Sequence, residues 1–139
     1  MTHNAVSVQA VIDAYPAPTR AGVLALRTLI FETARTLPHI GRVSEALRWG
    51  QPAYLTTDTG AGTTLRLGPH RDAAFAIFAH CRSRVIADYA QAFPGWDRID
   101  STRAILFDHT DQIEPERLSY LIRHALSYHL KVAQPVAGT

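Results

Sequence analysis

The stretch AAFAIFA, Ala73–Ala79, does most to restrict what this chain can fold into. In an extended chain, successive side chains point to opposite faces. Phe75 and Ile77 then share one face and Ala74, Ala76 and Phe78 the other, so both faces are apolar. Such a segment belongs at the centre of a sheet, with a strand on either side. Turn-forming clusters divide the chain before it: TTDTGAG at residues 56–62 and GPHRD at residues 68–72. Between them, Leu65 and Leu67 alternate with Thr64 and Arg66, and the spacing predicts an antiparallel meander.

Residues 44–55, SEALRWGQPAYL, hold the least ordinary chemistry. Glu45, Leu47 and Trp49 alternate with Ala46 and Arg48, as in a strand with unequal faces. Gly50 permits backbone angles that a Cβ disfavours. Pro52 fixes its own φ, has no N–H to give a ladder and keeps Gln51 extended. A bulge, a bend or a sheet edge is expected there. Trp49 and Tyr54 then stand beside a backbone irregularity. Aromatics in such a place either line a pocket or pack into the core and its rim, and large aromatics more often pack.

Amphipathic segments enclose the strands. Ser7 is placed to cap a first helix with Val8, Val11, Ile12 and Tyr15 as its stripe. Pro16 and Pro18 end it. Thr19 is placed to cap a second helix, with Val23, Leu26, Ile30, Ala34 and Leu37 on its apolar side. Ser83 is placed to cap a third that carries Val85, Ile86, Tyr89 and Ala90, and residues 96–101 read as a loop with Trp96 over a core edge. Residues 102–107 alternate as a last strand. Pro115 suits the first position of a closing helix, with Glu114 and Glu116 at its positive end. Leu118, Leu121, Ile122, Ala125 and His129 share one face of that helix.

With neither repeat nor linker, the 139 residues read as one domain, with a core of about residues 6–132 and a loose tail at 133–139. The class expected is α+β: two layers, a mostly antiparallel sheet of about five strands with helices packed on it. The element order expected is α-α-β-β-β-β-α-β-α.

Charge and cysteine content narrow function by exclusion. The formal net charge is +2, and the arginines are scattered, so the chain lacks a nucleic-acid footprint despite a pI near 9.0. No apolar run reaches the length of a membrane span. The first residues lack the basic and apolar regions of a signal peptide. Cys81 is the only cysteine, so it forms no intrachain disulfide. The expected setting is the cytoplasm, with no nucleic-acid or membrane partner. A homodimer across a sheet edge or a helix face is compatible with these features.

The residues that could carry chemistry are few. His80 and Cys81 are adjacent on a strand, so they point apart and do not chelate one metal; CxxC and HExxH motifs are missing. His80, Arg82 and Arg84 form either an anion-binding rim at the start of the third helix or a solvated surface. Asp108, His109 and Asp111 either pair for acid–base work or cap a turn. The glycines at 60 and 62 lack both the lysine of a phosphate loop and the spacing of a dinucleotide fingerprint. No catalytic residue and no metal ligand is assigned.

Four regions resemble the YdhG-like family of small bacterial domains. WGQPAY, at residues 49–54, looks like that family's aromatic-Gly-x-Pro-aromatic signature and is the specific part of the likeness. AVIDAY and LRTLIFETA resemble its leading helices, AAFAIFAH its apolar strand, and ILFDHTDQIEPERLSYLIRHAL its closing strand and helix. The resemblance implies a sheet with helices packed on it. It also implies, through members described as frataxin-like iron chaperones, iron as a cargo. The leading helices offer only Asp13 and Glu32, which make no acidic ridge.

The expected role is therefore a non-enzymatic binding domain for a small organic or anionic ligand, or a protein partner, near WGQPAY. Its candidate residues are Trp49, Gly50, Pro52, Tyr54, His80, Arg82 and Arg84. The alternatives are an iron chaperone and an enzyme using His80 as acid or base in the same pocket.

Overall fold

The computed structural model describes residues 7–133. Helices α1 (Val8–Ala14) and α2 (Ala17–Ala34) lead into four strands: β1 (Ser44–Arg48), β2 (Gln51–Leu55), β3 (Leu65–His70) and β4 (Ala73–Ala79). Helix α3 (Val85–Ala92), strands β5 (Arg98–Asp100) and β6 (Ala104–Phe107) and helix α4 (Pro115–Leu126) follow. The strands form one antiparallel sheet of six, in the order β1-β2-β3-β4-β6-β5. The architecture is the expected two-layer α+β fold, and β4 is interior as its two apolar faces require.

One face of the sheet meets the helices. Tyr54, Leu65, Leu67, Phe75, Ile77, Ile105 and Phe107 point into a core with Val23, Leu26 and Ile30 of α2 and Leu118, Leu121 and Ile122 of α4. Phe75 stacks on Phe107, with ring centroids 5.2 Å apart. Helix α2 crosses β4 at Gly22, where an added Cβ would fall 2.3 Å from the Phe75 ring, so only glycine lets the helix sit this close. Thr19 ties the same crossing by donating from its hydroxyl to the Ala74 carbonyl at 2.7 Å. That is a correction: Thr19 lies inside α2, which starts at Ala17 because Pro18 fits an opening turn.

Residues 44–55 are not one kinked strand. They are two strands joined by a two-residue hairpin at Trp49 and Gly50, with φ of 56° and 74°. Positive φ at both central positions is the type I′ turn, whose twist matches that of paired strands. Arg48 and Gln51 close the hairpin, and Pro52 stands opposite Leu47. Beside a two-residue turn, Leu47–Pro52 is the pair that exchanges no ladder bonds, so the missing N–H of Pro52 faces β3. The β2–β3 ladder runs only over Ala53 and Tyr54 and stops before Pro52. An interior strand thereby tolerates a proline without a bulge. The bulge lies instead in β3, between Gly68 and His70.

Other differences are local. Residues 98–100, expected in a loop, make the short edge strand β5, which brings the sheet to six strands rather than about five. Trp96 does not cover a core edge: it is 66% exposed and lies over the Arg117 guanidinium, itself paired with Asp97. Helix α4 ends at Leu126, and a 3-10 segment, Tyr128–Ala133, follows, so His129 leaves the helix face and is exposed. Ser7 caps α1 as expected, accepting from the Ala10 amide at 3.0 Å. Most of the expected tail, residues 134–139, lies outside the described residues.

Candidate ligand site on the open face of the sheet

Among the described residues no helix packs on the second face of the sheet, whose small cluster of Ala76, Ala104 and Leu106 is built from strands alone. The row that crosses this face at Arg66 reads Ala46, Ala53, Arg66, Phe78, Ala104 and Asp100. Alanine side chains rise little above the backbone, so Arg66 and Phe78 stand proud of a low floor. A concavity of about 580 Å3 opens here. Trp49, Phe78 and His80 line it, together with Arg48, Arg66 and Arg103.

Arg66 is the half-buried centre of the site. Its guanidinium lies over the Phe78 ring, 5.1 Å from the centroid, and donates to Oε1 of Gln51. Gln51 is held in turn over Gly68, where a Cβ would come within 2.6 Å of its Nε2. Burial pulls the Arg66 pKa down from its ordinary value, yet a guanidinium stays charged across the physiological range. His70 also stacks on Phe78, at 6.1 Å, and bonds Asp100 through Nε2 at 2.9 Å. Its Nδ1 accepts from the Asp72 amide at 3.0 Å, so the hydrogen on Nε2 is the one given to Asp100. That hydrogen bond, helped by the nearby arginines, holds the Asp100 carboxyl below the usual carboxylate range.

The charge of the concavity is therefore positive. Its one carboxylate is engaged by His70. Six other arginines of the chain, Arg27, Arg42, Arg71, Arg84, Arg98 and Arg117, each stand within 4.0 Å of a carboxylate. Among the described residues, Arg48, Arg66 and Arg103 form no salt bridge. Trp49 adds an apolar surface to this cationic site and is 89% exposed.

The expected site residues separate. Trp49 and His80 line the concavity, and Gly50 forms the turn that presents Trp49. Pro52 is buried within β2 and ends a ladder. Tyr54 is fully buried on the opposite face, because it pairs with Glu45, and the two point toward α2. Its hydroxyl donates to Glu45 at 2.8 Å, and Arg27 of α2 donates to the same carboxylate. Burial, then the bond to Glu45, pushes the Tyr54 phenol well above its ordinary range. Tyr54 is thus a core residue with a satisfied hydroxyl, not a ligand contact.

The arginine rim is corrected as well. Arg84 pairs with Asp88 one turn along α3, and its amide donates to the Tyr128 hydroxyl at 2.9 Å. Arg82 is exposed and outside the concavity. His80 instead uses Nδ1 to accept from the Arg82 amide at 3.0 Å. Nor do Asp108 and His109 form an acid–base pair: Asp108 bonds Arg98 at 2.8 Å and His109 begins a 3-10 turn. Among the described residues no three of His, Cys, Asp and Glu gather as a metal would need.

The sequence also contained Arg66 and Arg103. The usable signal was Arg66 alternating against Leu65 and Leu67, which sets it on the polar face of its strand. Its partners across the strands depend on register, which a sequence does not state. Compared with models of protein families, with curated proteins and with solved structures, the chain finds no match.

Proposed function

We propose that this is a non-enzymatic binding domain whose ligand is a small organic anion held on the open face of the sheet. One observation carries the reading: the nine-tenths exposed ring of Trp49 shares a concavity with three arginines that form no salt bridge among the described residues. Flat apolar surface and unneutralised guanidinium groups are what an anion with an aromatic or planar body requires. The YdhG-like resemblance belongs to this proposal. In such a domain the WGQPAY signature supplies a hairpin tip that offers its first aromatic and buries its second. The proposal also keeps the cytoplasm as the setting; among the described residues no helix is long and apolar enough to cross a membrane. Iron as cargo has less support, since Asp13 and Glu32 stand exposed on separate helices.

A thermal-shift panel of small organic anions tests the reading. A specific ligand raises the midpoint as RT ln(1 + [L]/Kd) predicts. The rise should disappear in Trp49→Ala, which leaves the core untouched. A rise that persists unchanged in that variant would place the ligand elsewhere and defeat the proposal.

A further inference from the structure

The concavity also indicates which anion. We infer that it takes a phosphate monoester carried on a flat ring, of the nucleoside monophosphate class, with Arg66 as the phosphate anchor and Trp49 as the stacking surface. The inference rests on the proposed function and deepens it.

Charge is the first argument. Three guanidinium groups face one carboxylate, and that carboxylate is engaged by His70. A monocarboxylate brings one negative charge and two acceptor oxygens. A phosphate monoester brings nearly two charges and three acceptor oxygens, which matches several guanidinium groups lining one opening better. Orientation is the second. Arg66 is fixed before any ligand arrives, by Phe78 beneath it and Gln51 beside it. A pre-set planar fork favours a bidentate oxyanion over a diffuse charge. Surface is the third. Trp49 exposes its ring at a turn, where nothing among the described residues covers it, and nucleobases stack on such rings with little regard to sequence. A volume of about 580 Å3 falls within the range that holds a small ligand.

The test uses the Trp96→Phe background, in which Trp49 is the only tryptophan and its fluorescence reports the site alone. The probes are adenosine monophosphate, adenosine, inorganic phosphate and benzoate. Adenosine monophosphate should quench saturably below roughly millimolar concentration, with adenosine and phosphate each about tenfold weaker or more. Arg66→Gln should cost about tenfold or more in that affinity, and Arg66→Lys, which keeps the charge without the fork, most of the same loss. Arg35→Gln, at the exposed end of α2, should change nothing. Arg66→Lys also serves as the reading should Arg66→Gln fail to fold. Benzoate binding as tightly as the nucleotide would overturn the phosphate assignment while leaving an organic-anion site. No response to adenosine monophosphate, with a Trp49-dependent thermal shift from another anion, would overturn it in the same way. No response in either assay would remove both readings.

Discussion

Trp49→Asn should make the protein more stable and abolish binding. The native backbone at Trp49 has φ of 56°, in the left-handed region, where a residue with a Cβ costs roughly 1–2 kcal/mol. Asparagine tolerates that region because its side chain bonds locally, and Asn-Gly is the favoured pair for a type I′ hairpin. What the tryptophan returns in packing is small, since the side chain is 89% exposed. At about 25 cal/mol per Å2, the tenth of its surface that is covered is worth roughly 0.5 kcal/mol. The balance is a gain of about 0.5–1.5 kcal/mol. With a urea m-value of about 1–3 kcal/mol/M, the midpoint should rise by roughly 0.5 M at an unchanged slope. The same variant should lose the anion-dependent thermal shift. A fall in midpoint would show that the Trp49 ring packs against the protein and would refute the reasoning. A stabilised variant that still binds would show that the ring is not part of the site.

Gly22→Ala should destabilise by about 1–3 kcal/mol, although the same change in a free helix gains close to 1 kcal/mol, because the new methyl meets the Phe75 ring and Phe107 blocks its retreat. Adding Phe75→Leu should recover part of that loss, and additive denaturant midpoints would refute the contact. Phe75→Ala or Ile77→Ala should each cost roughly 2–5 kcal/mol, while Arg42→Ala, a solvated arginine 3.6 Å from Asp58, should cost little; equal losses would refute the assignment of β4 as central. Burial pushes the Glu45 carboxyl up, but the hydrogen bonds from Arg27 and Tyr54 and the Arg27 charge outweigh it, so its folded pKa lies below the ordinary value. Its contribution is therefore full above the unfolded pKa of about 4.3 and is lost as pH falls through the folded value. Urea midpoints between neutral pH and pH 3 should show a shallower acid limb in Glu45→Gln, and an unchanged limb would refute the linkage.

The fold was legible where one local signal decided the outcome. Phe75 and Ile77 alternate with apolar neighbours, and a period of two on both faces leaves few places for a strand except the interior of a sheet. Pro115 with Glu114 marked the start of α4, and Glu114 indeed accepts from the Arg117 amide. The hairpin at Trp49 and Gly50 was less legible because tryptophan is a poor signal for a left-handed turn position. That one misreading carried Tyr54 with it. Tyr54 faces α2 because pairing across the turn aligns it with Glu45, and alternation along a single strand does not reproduce that pairing. Strand β5 was missed because three residues, Arg-Ile-Asp, are too short to show a period. Arg66 and Phe78 lie twelve positions apart and become neighbours only through the β3–β4 register.

The two layers explain why the site is where it is. Every helix among the described residues packs on one face, so that face spends its aromatics, Tyr54, Phe75 and Phe107, on the core. The other face is left to side chains that must cover β4 themselves. Long polar residues do this best, because an arginine or a histidine lays an apolar body on Phe78 and keeps a polar tip in water. Arg66 and His70 thus cover part of the second apolar face of the central strand, and the charge of Arg66 comes with that covering. Elsewhere the chain neutralises many of its arginines with a carboxylate nearby. Around Phe78 the described residues offer only Asp100, which His70 already engages, and the hairpin turns a strained, exposed tryptophan to the same opening. Packing accounts for the arginine over Phe78. It accounts neither for the arginines that stay outside salt bridges among the described residues nor for the tryptophan; under the proposed function, an anion with a flat body answers both.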